Sequence, residues 1–217
     1  MAFDGPGPFD YRNVCALNRT YMTLLQANRN ARQSLHQLSS PLSRRITSLT
    51  RHQVDRLSAT PFLLLSFRER DDDLWEQILS NEIGSDLLTR PLANDLDRLQ
   101  SAGLGFVWQM ARQNPYTLRL TCGATLHWCE QIAERTISSL LGAVAPHPDL
   151  LELRRGNDED LWLKLLVNGV SRDRNVRTAA HISALQTVLT RPASRVPRTW
   201  AVAARKSRET GLRVADE

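Results

Sequence analysis

One phrase occurs twice in this chain and constrains its architecture more than any other feature. Residues 71–83 read DDDLWEQILSNEI, and residues 158–170 read DEDLWLKLLVNGV, 87 positions further on. Aligned without gaps over 61–83 and 148–170, the two segments share ten identities in 23 positions, including a proline and a tryptophan. Agreement of this kind is hard to attribute to chance, and it predicts that the chain contains a duplicated structural unit.

Both copies of the phrase have the pattern of a helix that begins directly after acidic residues. Large apolar residues recur at i, i+1, i+4 and i+5, which places them on one helical stripe. They are Leu74, Trp75, Ile78 and Leu79 in the first copy and Leu161, Trp162, Leu165 and Leu166 in the second. An Asp that precedes such a stripe accepts hydrogen bonds from the free N–H groups of the first turn.

The same acids invite a second interpretation, a catalytic or metal-binding cluster. Asp71–Asp73 and Asp158–Asp160 would then need convergent ligands from elsewhere in the chain, and no such set stands out in the sequence. Cys122, His127 and Cys129 lack the tight cysteine spacing of a zinc site, and Cys129 falls on the apolar side of a predicted helix. We therefore expect helix caps and core cysteines, with no enzymatic activity, metal or cofactor.

A weaker match precedes the phrase in each copy. RHQVDRLSAT at 51–60 resembles LHWCEQIAER at 126–135, at an offset of 75 rather than 87. The second copy would therefore carry a 12-residue insertion, for which LLGAVAPHPD at 140–149, with one glycine and two prolines, is a suitable place. The predicted unit is a helix, a short connection with a proline, an apolar stretch and the tryptophan helix.

The totals fit a globular protein of one or two domains. The chain has 217 residues, of which 41% are apolar and 24% charged. No apolar run approaches the roughly 18–20 residues of a membrane span, and the N-terminus lacks the pattern of a signal peptide. We expect a cytoplasmic protein without membrane contact. The net charge of +5 is compatible with a nucleic-acid partner without requiring one.

Two segments of the first unit carry the helical pattern of a known family. LNRTYMTLLQ (17–26) and LTRHQVDRLSATPFLLLSFRERDDDLW (49–75) resemble the flagellar master-regulator family FlhD over about residues 14–80. The matching residues are Asn18, Thr20, Tyr21, Leu24, Gln26, Leu49, Thr50, Gln53, Leu57, Thr60, Phe67 and Arg68. The chain departs from the family at two positions. Leu65 stands where the family can have the cysteine of an intersubunit disulfide, and Glu69 replaces the aromatic that usually follows Phe-Arg.

The resemblance implies a mostly helical subunit that dimerises through intertwined helices. Family members act with a zinc-bearing partner, FlhC, as promoter-binding activators, and related activators control conjugative elements. The internal repeat would make residues 104–185 a second, diverged copy of this unit. The resemblance and the repeat together predict an all-α chain of two tandem FlhD-like units forming a pseudo-dimer. The predicted parts are a flexible N-terminus (1–13), the first unit (14–90), the second unit (91–190) and a basic C-terminal arm (191–217).

Basic residues cluster in three places. SSPLSRRITSLTRHQVDRLSAT at 39–60 resembles the two short helices of a helix-turn-helix, with Ser40 and Thr50 as predicted caps and Pro41 at the first helical position. SRDRNVRTAAH at 171–181 leads into a predicted helix, and residues 191–213 carry seven basic residues against one acid. The predicted DNA contacts are Arg44, Arg45, Arg51, Arg172, Arg174, Arg177, Arg191, Arg195 and Arg198.

These observations leave two functions open. We expect a transcriptional regulator that acts on promoter DNA in a homo- or hetero-oligomeric complex, with an FlhC-like protein as partner and flagellar or conjugation genes as targets. The rival is a helical adaptor or anti-activator that binds protein and never contacts DNA. On the second interpretation the C-terminal arm is a solvated terminus, and the two short helices of residues 39–60 merely pack together.

Overall fold

The computed structural model describes residues 5–27, 38–80 and 94–190, and these residues are predominantly helical. The helices are α1 (Pro8–Ala27), α2 (Ser40–Thr47), α3 (Arg51–Ser58), α4 (Asp72–Ser80), α5 (Asp95–Gln113), α6 (Pro115–Cys122), α7 (Leu126–Glu134), α8 (Ile137–Val144), α9 (Glu159–Lys164) and α10 (Arg174–Thr190). A 3-10 turn covers Pro148–Leu150, a π-helical segment continues α9 over Leu165–Gly169, and the strands β1 (Leu65–Ser66) and β2 (Glu152–Leu153) pair antiparallel. The predicted helical class is confirmed. Among the described helices, none combines the length and apolar character that crossing a membrane requires.

The first helix begins earlier than the predicted unit boundary. Gly7 precedes it, and the Gly7 N–H donates to Asp10 Oδ2 at 2.8 Å. Pro8 occupies the first helical position, where a residue without an N–H is tolerated because that group has no partner within the helix. Residues 8–13, assigned from the sequence to a flexible N-terminus, are therefore helical in the structure.

The helices α2 and α3 begin in different ways. Thr50 forms the predicted cap of α3: its hydroxyl accepts from the Gln53 N–H at 3.3 Å, and Gln53 Oε1 accepts from the Thr50 N–H at 2.9 Å. The predicted cap of α2 is wrong by one residue. Ser40 is already helical, and the flanking Ser39 makes no capping bond with its side chain. The Ser39 N–H instead donates to Glu159 Oε1 at 2.8 Å, because α9 packs against α2.

The second copy repeats this helix pair. At the offset of 75, α2 and α3 correspond to α6 and α7, and α2 and α6 have the same length of eight residues. Thr125 corresponds to Thr50, and its hydroxyl accepts from the Trp128 N–H at 3.1 Å, as Thr50 accepts from Gln53. The weak match in the sequence thus marks the same capped helix in both copies.

The insertion in the second copy contains a helix. The glycine and prolines of residues 140–149 suggested a connection, but α8 runs through this region and ends before Pro146. The Thr136 hydroxyl caps it by accepting from the Ser139 N–H at 3.1 Å, and α8 packs against α4 and α5. The insertion therefore adds a packed element to the second copy.

Each tryptophan helix is entered through the same unusual turn. Arg68 has a φ of 53° and Arg155 a φ of 49°, in the left-handed region that residues with a Cβ seldom adopt. These arginines lie 87 residues apart, the offset of the repeat, and among the described residues other than glycine they are the only ones with positive φ. The turn is closed in both copies, because the Asp71 N–H donates to Arg68 O and the Asp158 N–H donates to Arg155 O, each at 2.9 Å.

The acids of the repeated phrase act as helix caps. Asp71 Oδ1 accepts from the Leu74 N–H at 3.3 Å, and Asp158 Oδ1 accepts from the Leu161 N–H at 3.1 Å. This confirms the capping interpretation for the first acid of each copy. Within the described parts of the chain, no group of three or more His, Cys, Asp or Glu side chains is placed to hold a metal ion.

The two tryptophans occupy equivalent core positions. Trp75 is fully buried, and its indole Nε1–H donates to Phe67 O at 3.1 Å. Trp162 is 1% exposed, and its Nε1–H donates to Arg154 O at 3.0 Å. Because Phe67 and Arg154 are also 87 residues apart, the donor and the acceptor of this bond both repeat.

The two strands join the copies in a reciprocal register. Leu65 lies opposite Leu153, and Ser66 lies opposite Glu152. At the offset of 87, Leu65 corresponds to Glu152 and Ser66 corresponds to Leu153. Leu65 therefore pairs with the counterpart of Ser66, and Ser66 pairs with the counterpart of Leu65. This is the register that an approximate two-fold axis through the strand pair produces.

The copies also exchange their tryptophan helices. The π-helical segment that continues α9 packs against α3 of the first copy, and α9 itself packs against α2. In the other direction α4 packs against α8, and the Trp75 and Trp128 rings meet edge to face with centroids 5.2 Å apart. Buried apolar side chains from both copies form one core cluster. The predicted unit boundaries near residues 90 and 190 fall outside the described residues or at their end and stay predictions.

Candidate nucleic-acid interface

The helix pair of α2 and α3 presents arginines to solvent. Arg44, Arg45 and Arg51 are exposed, and no carboxylate among the described residues forms an ion pair with them. Leu42 and Ile46 bury the opposite side of α2 in the core. The pair thus holds three exposed cationic side chains on a helical backbone, which is an arrangement suited to phosphate contacts.

The backbone of this helix pair is attached to α1 by one glutamine. Gln26 Nε2 donates to Ile46 O at 3.2 Å and to Leu49 O at 2.8 Å, at the end of α2 and in the turn before α3. The Ile46 carbonyl also accepts from the Leu49 N–H at 3.3 Å, so Gln26 adds a second donor at the turn between the two helices. Gln26 is one of the residues that match the FlhD pattern, and its role here is structural.

The second predicted cluster lies at the start of α10. Arg172 and Arg174 are exposed, whereas Arg177 is half-buried. The Arg177 guanidinium donates through Nη1 to Ser171 O at 2.8 Å and to Arg172 O at 3.4 Å. It therefore braces the turn that presents its two neighbours, and Arg172 and Arg174 are the more accessible of the three.

The two clusters lie on neighbouring elements. Arg56 of α3 donates through Nε to Val170 O at 2.7 Å, directly before the turn that carries Arg172. The sequence pattern did not single out Arg56. The remaining predicted contacts, Arg191, Arg195 and Arg198, belong to the predicted basic arm of residues 191–217, which lies outside the described residues.

The distribution of acids is a signal that the sequence analysis overlooked. Residues 11–54 contain seven arginines and no Asp or Glu, and residues 98–129 contain three arginines and again no acid. The first acids after these stretches, Asp55 and Glu130, are separated by 75 positions, the offset of the helix pairs. Each copy therefore has an acid-free part that covers its first short helix, α2 or α6, and the start of the second helix, and a local excess of positive charge attracts polyanions.

A buried ion pair lies beside the strand pair, between the two copies. Arg154 Nη1 is 2.5 Å from Glu69 Oε1, and the two residues are 5% and 2% exposed. The other carboxylate oxygen, Glu69 Oε2, accepts from Ser66 Oγ at 2.6 Å and from the Phe67 N–H at 2.9 Å. All the polar contacts that a buried carboxylate needs are thus present. Glu69 replaces the aromatic of the FlhD pattern, and its partner Arg154 explains the replacement.

Arg154 also connects three segments of backbone. Its guanidinium donates to the carbonyls of Leu63, Leu65 and Cys122. Cys122 is the last residue of α6, and the next carbonyl, that of Gly123, accepts from Arg70 Nε at 2.9 Å. Two arginines therefore meet the carbonyl end of α6, where a helix dipole favours positive charge.

The cysteines of the rejected zinc hypothesis are core residues. Cys122 is 1% exposed and Cys129 is fully buried, which confirms the prediction of core packing. Burial raises the pKa of each thiol to about 12, so both remain protonated at neutral pH. His127, the third residue of that hypothesis, is exposed to solvent.

Asn18, the first residue of the FlhD-like pattern, organises the apolar stretch between α3 and β1. It is fully buried, and its Nδ2 donates to Phe62 O at 2.9 Å and to Thr60 Oγ1 at 3.1 Å. Its Oδ1 accepts from the Leu64 N–H at 2.7 Å. The matching Asn and Thr thus serve one hydrogen-bond network that attaches α1 to the segment leading into the tryptophan helix.

No family model, curated protein or solved structure shows significant similarity to this chain. The resemblance to FlhD consequently rests on the matching residues of the first unit.

Proposed function

We propose that this chain is an FlhD-like transcriptional regulator that binds promoter DNA as part of a complex. The observation that carries the proposal is the surface of α2 and the start of α3, which exposes Arg44, Arg45 and Arg51 without a carboxylate partner among the described residues. Guanidinium groups bind phosphate oxygens with two parallel hydrogen bonds, and unpaired guanidiniums are free to do so.

The proposal includes two FlhD-like units in one chain, arranged as a pseudo-dimer. It is supported by the reciprocal register of β1 and β2, by the left-handed arginines 87 residues apart and by the exchanged tryptophan helices. Leu65 adds a further argument. It stands where the family can have an intersubunit cysteine, and here it pairs with Leu153 of the other copy. The position that joins two subunits in the family would thus join two units in this chain.

The basic clusters contribute different contacts to DNA binding. Arg44, Arg45 and Arg51 contact the phosphates beside the helix pair, and Arg172 and Arg174 extend this surface because α3 contacts the turn before α10. The arm, with Arg191, Arg195 and Arg198, adds affinity that does not depend on base sequence. Sequence preference would then come from exposed polar residues at the start of α3 or from the partner subunit.

A second candidate function, the adaptor or anti-activator, is favoured by a different observation. Several large apolar side chains are exposed on α9, on its π-helical continuation and on α10. They are Leu163, Val167, Val176, Ile182 and Leu189, with exposed fractions between 36% and 51%. Clusters of exposed apolar residues mark protein-binding surfaces. In the regulator, the same residues would receive the FlhC-like subunit; in the adaptor, they would be the entire functional surface.

Binding to duplex DNA in a salt series separates the two functions. We expect the full chain to bind, and we expect the triple variant Arg44→Ala, Arg45→Ala, Arg51→Ala to lose about 0.9 units of the slope of log K against log salt for each phosphate contact removed. The matched control is Arg98→Ala. It removes an exposed arginine that is paired with Asp95 at 3.5 Å on a different helix, and it should leave the slope unchanged.

The result that would contradict the regulator is the absence of DNA binding by the full chain, both alone and with an FlhC-like protein added. Retained binding of that protein under the same conditions would favour the adaptor. Substituting Leu163 and Ile182 with Ser should then abolish the protein complex, because both side chains are about half exposed and would lie in the protein-binding surface.

A further inference from the structure

The helix pair of the second copy exposes one arginine, Arg119, at the position where the first pair exposes Arg44. We propose that α6 and α7 form a second DNA-contacting surface, so that one chain contacts both halves of a duplex site. This inference rests on the proposed function of the first pair. It adds contacts that the sequence analysis did not assign, namely Arg112, Tyr116 and Arg119.

The two helix pairs turn corresponding sides toward the core. At the offset of 75, five buried residues of one pair coincide with buried residues of the other. The corresponding residues are Leu42 and Thr117, Ile46 and Thr121, Leu49 and Ala124, Val54 and Cys129, and Leu57 and Ile132. Because these buried positions coincide and the threonine caps repeat, the sides of α2 and α6 that carry Arg44 and Arg119 correspond.

The coinciding exposed positions carry the same chemistry. Arg119 corresponds to Arg44 and His127 to His52, and all four side chains are exposed. No carboxylate in the described ranges forms an ion pair with Arg119. Asp and Glu are absent from residues 98–129, which comprise α5 from Arg98 onward, α6 and the start of α7.

Two further residues suit a phosphate backbone. Tyr116 lies one helical turn before Arg119 and is 53% exposed, which leaves its hydroxyl free to donate to a phosphate oxygen. Arg112, at the end of α5, is exposed and stacks over the Trp108 ring with its guanidinium carbon 5.1 Å from the centroid. A stacked guanidinium keeps its N–H groups available in the plane of the group.

The reciprocal strand register explains why a duplex would meet both pairs. If the approximate two-fold axis that the register of β1 and β2 indicates extends to the helices, it relates α2 and α3 to α6 and α7. Duplex DNA has local two-fold axes of its own, and proteins with two-fold symmetry use them to place equivalent elements on two half-sites. The halves are unequal, since Leu120 and Leu126 stand where the first pair has Arg45 and Arg51. We therefore expect the second half-site to be held by fewer phosphate contacts.

The test compares Arg119→Ala with Arg44→Ala in the full chain, and uses Arg98→Ala as the control. The probe is a 30-base-pair duplex of mixed sequence, titrated at a series of salt concentrations while fluorescence anisotropy is followed. Each of the first two variants should lower the steepness of log K against log salt by about 0.9, and the double variant by about 1.8. Arg98→Ala should behave as the unchanged protein. Circular dichroism checks that the variants keep the helix content of the parent chain.

Different outcomes overturn different claims. If Arg44→Ala weakens binding and Arg119→Ala behaves as the control, the second surface is refuted and the proposed function stands. If the unchanged chain binds no duplex, the proposed function fails, and the second surface fails with it. A steep salt dependence toward anionic lipid vesicles, with none toward the duplex, would likewise refute both in favour of a membrane surface.

Discussion

At the scale of residues, the buried ion pair of Glu69 and Arg154 leads to a specific prediction, because each charge is buried and is neutralised by the other. Removing one partner leaves an uncompensated buried charge, which costs about 3–5 kcal/mol, whereas replacing both with apolar residues of similar volume is often neutral. We therefore expect Glu69→Leu and Arg154→Met each to destabilise the chain. The double variant should recover the part of the loss that comes from an unpaired charge, while the carbonyls of Leu63, Leu65 and Cys122 still lose their donor. Urea unfolding followed by circular dichroism measures all three. Two small single effects that simply add would show that the pair does not couple the copies.

The buried cysteines lead to a second prediction at the scale of residues. Because their pKa is raised, their thiols should react slowly with a disulfide reagent. A thiol whose pKa is raised to about 12 is protonated at pH 8, and only the thiolate reacts rapidly with a disulfide reagent. Cys122 and Cys129 are also buried, whereas Cys15 is partly accessible. We expect Ellman's reagent to label one thiol per native chain at pH 8 and three after unfolding. Rapid labelling of two or more native thiols would contradict the core positions.

At the scale of elements, the tryptophan helices should be equivalent in stability as well as in geometry. Trp75→Ala and Trp162→Ala each remove a buried ring and its hydrogen bond, so each should cost about 3–5 kcal/mol of unfolding free energy. The control is Asp72→Asn, an exposed change in the first turn of α4 that should cost less than about 0.5 kcal/mol and leave function intact. A folded Asp72→Asn protein that had lost its activity would instead restore the acidic-site interpretation.

The elements also show which parts of the fold a sequence can predict. The caps at Thr50 and Asp71 follow from local rules, since the donor and the acceptor are three residues apart. The cap at Ser40 was misplaced because the Ser39 N–H bonds to Glu159, 120 residues away. In α8 the glycine suggested a break, but Gly142 is buried within the helix, and the prolines follow its end. A long-range partner thus lies at the start of α2, and local patterns do not contain such partners.

The candidate site also contains residues that local patterns predict and residues that depend on distant partners. The arginines of α2 and α3 were visible as a cluster, and their exposure agrees with the helical pattern. Arg56 was not visible, because its partner is the carbonyl of Val170, 114 residues away. The acid-free stretches that end at Asp55 and Glu130 are a sequence signal for the proposed surface of α6 and α7. This signal becomes recognisable only when the two helix pairs are aligned.

On the scale of the whole molecule, the exchange of tryptophan helices makes the copies interdependent. Neither copy can complete its core alone, because α4 packs on α8 and the end of α9 packs on α3. We therefore expect unfolding in one cooperative step, with tryptophan fluorescence and circular dichroism giving coincident curves in urea. Two separate transitions would show that the copies fold as independent domains.

The central claim is that this chain binds DNA through unpaired arginines, and the salt dependence of binding tests it most directly. Titrating the full, unchanged chain onto a duplex gives log K against log salt, and each phosphate neutralised contributes about 0.9 to the steepness. With Arg44, Arg45 and Arg51 engaged, the account predicts a linear fall with a steepness of at least about 2.7. A duplex affinity that does not change with salt, or no binding at low salt with the partner subunit present, would contradict it.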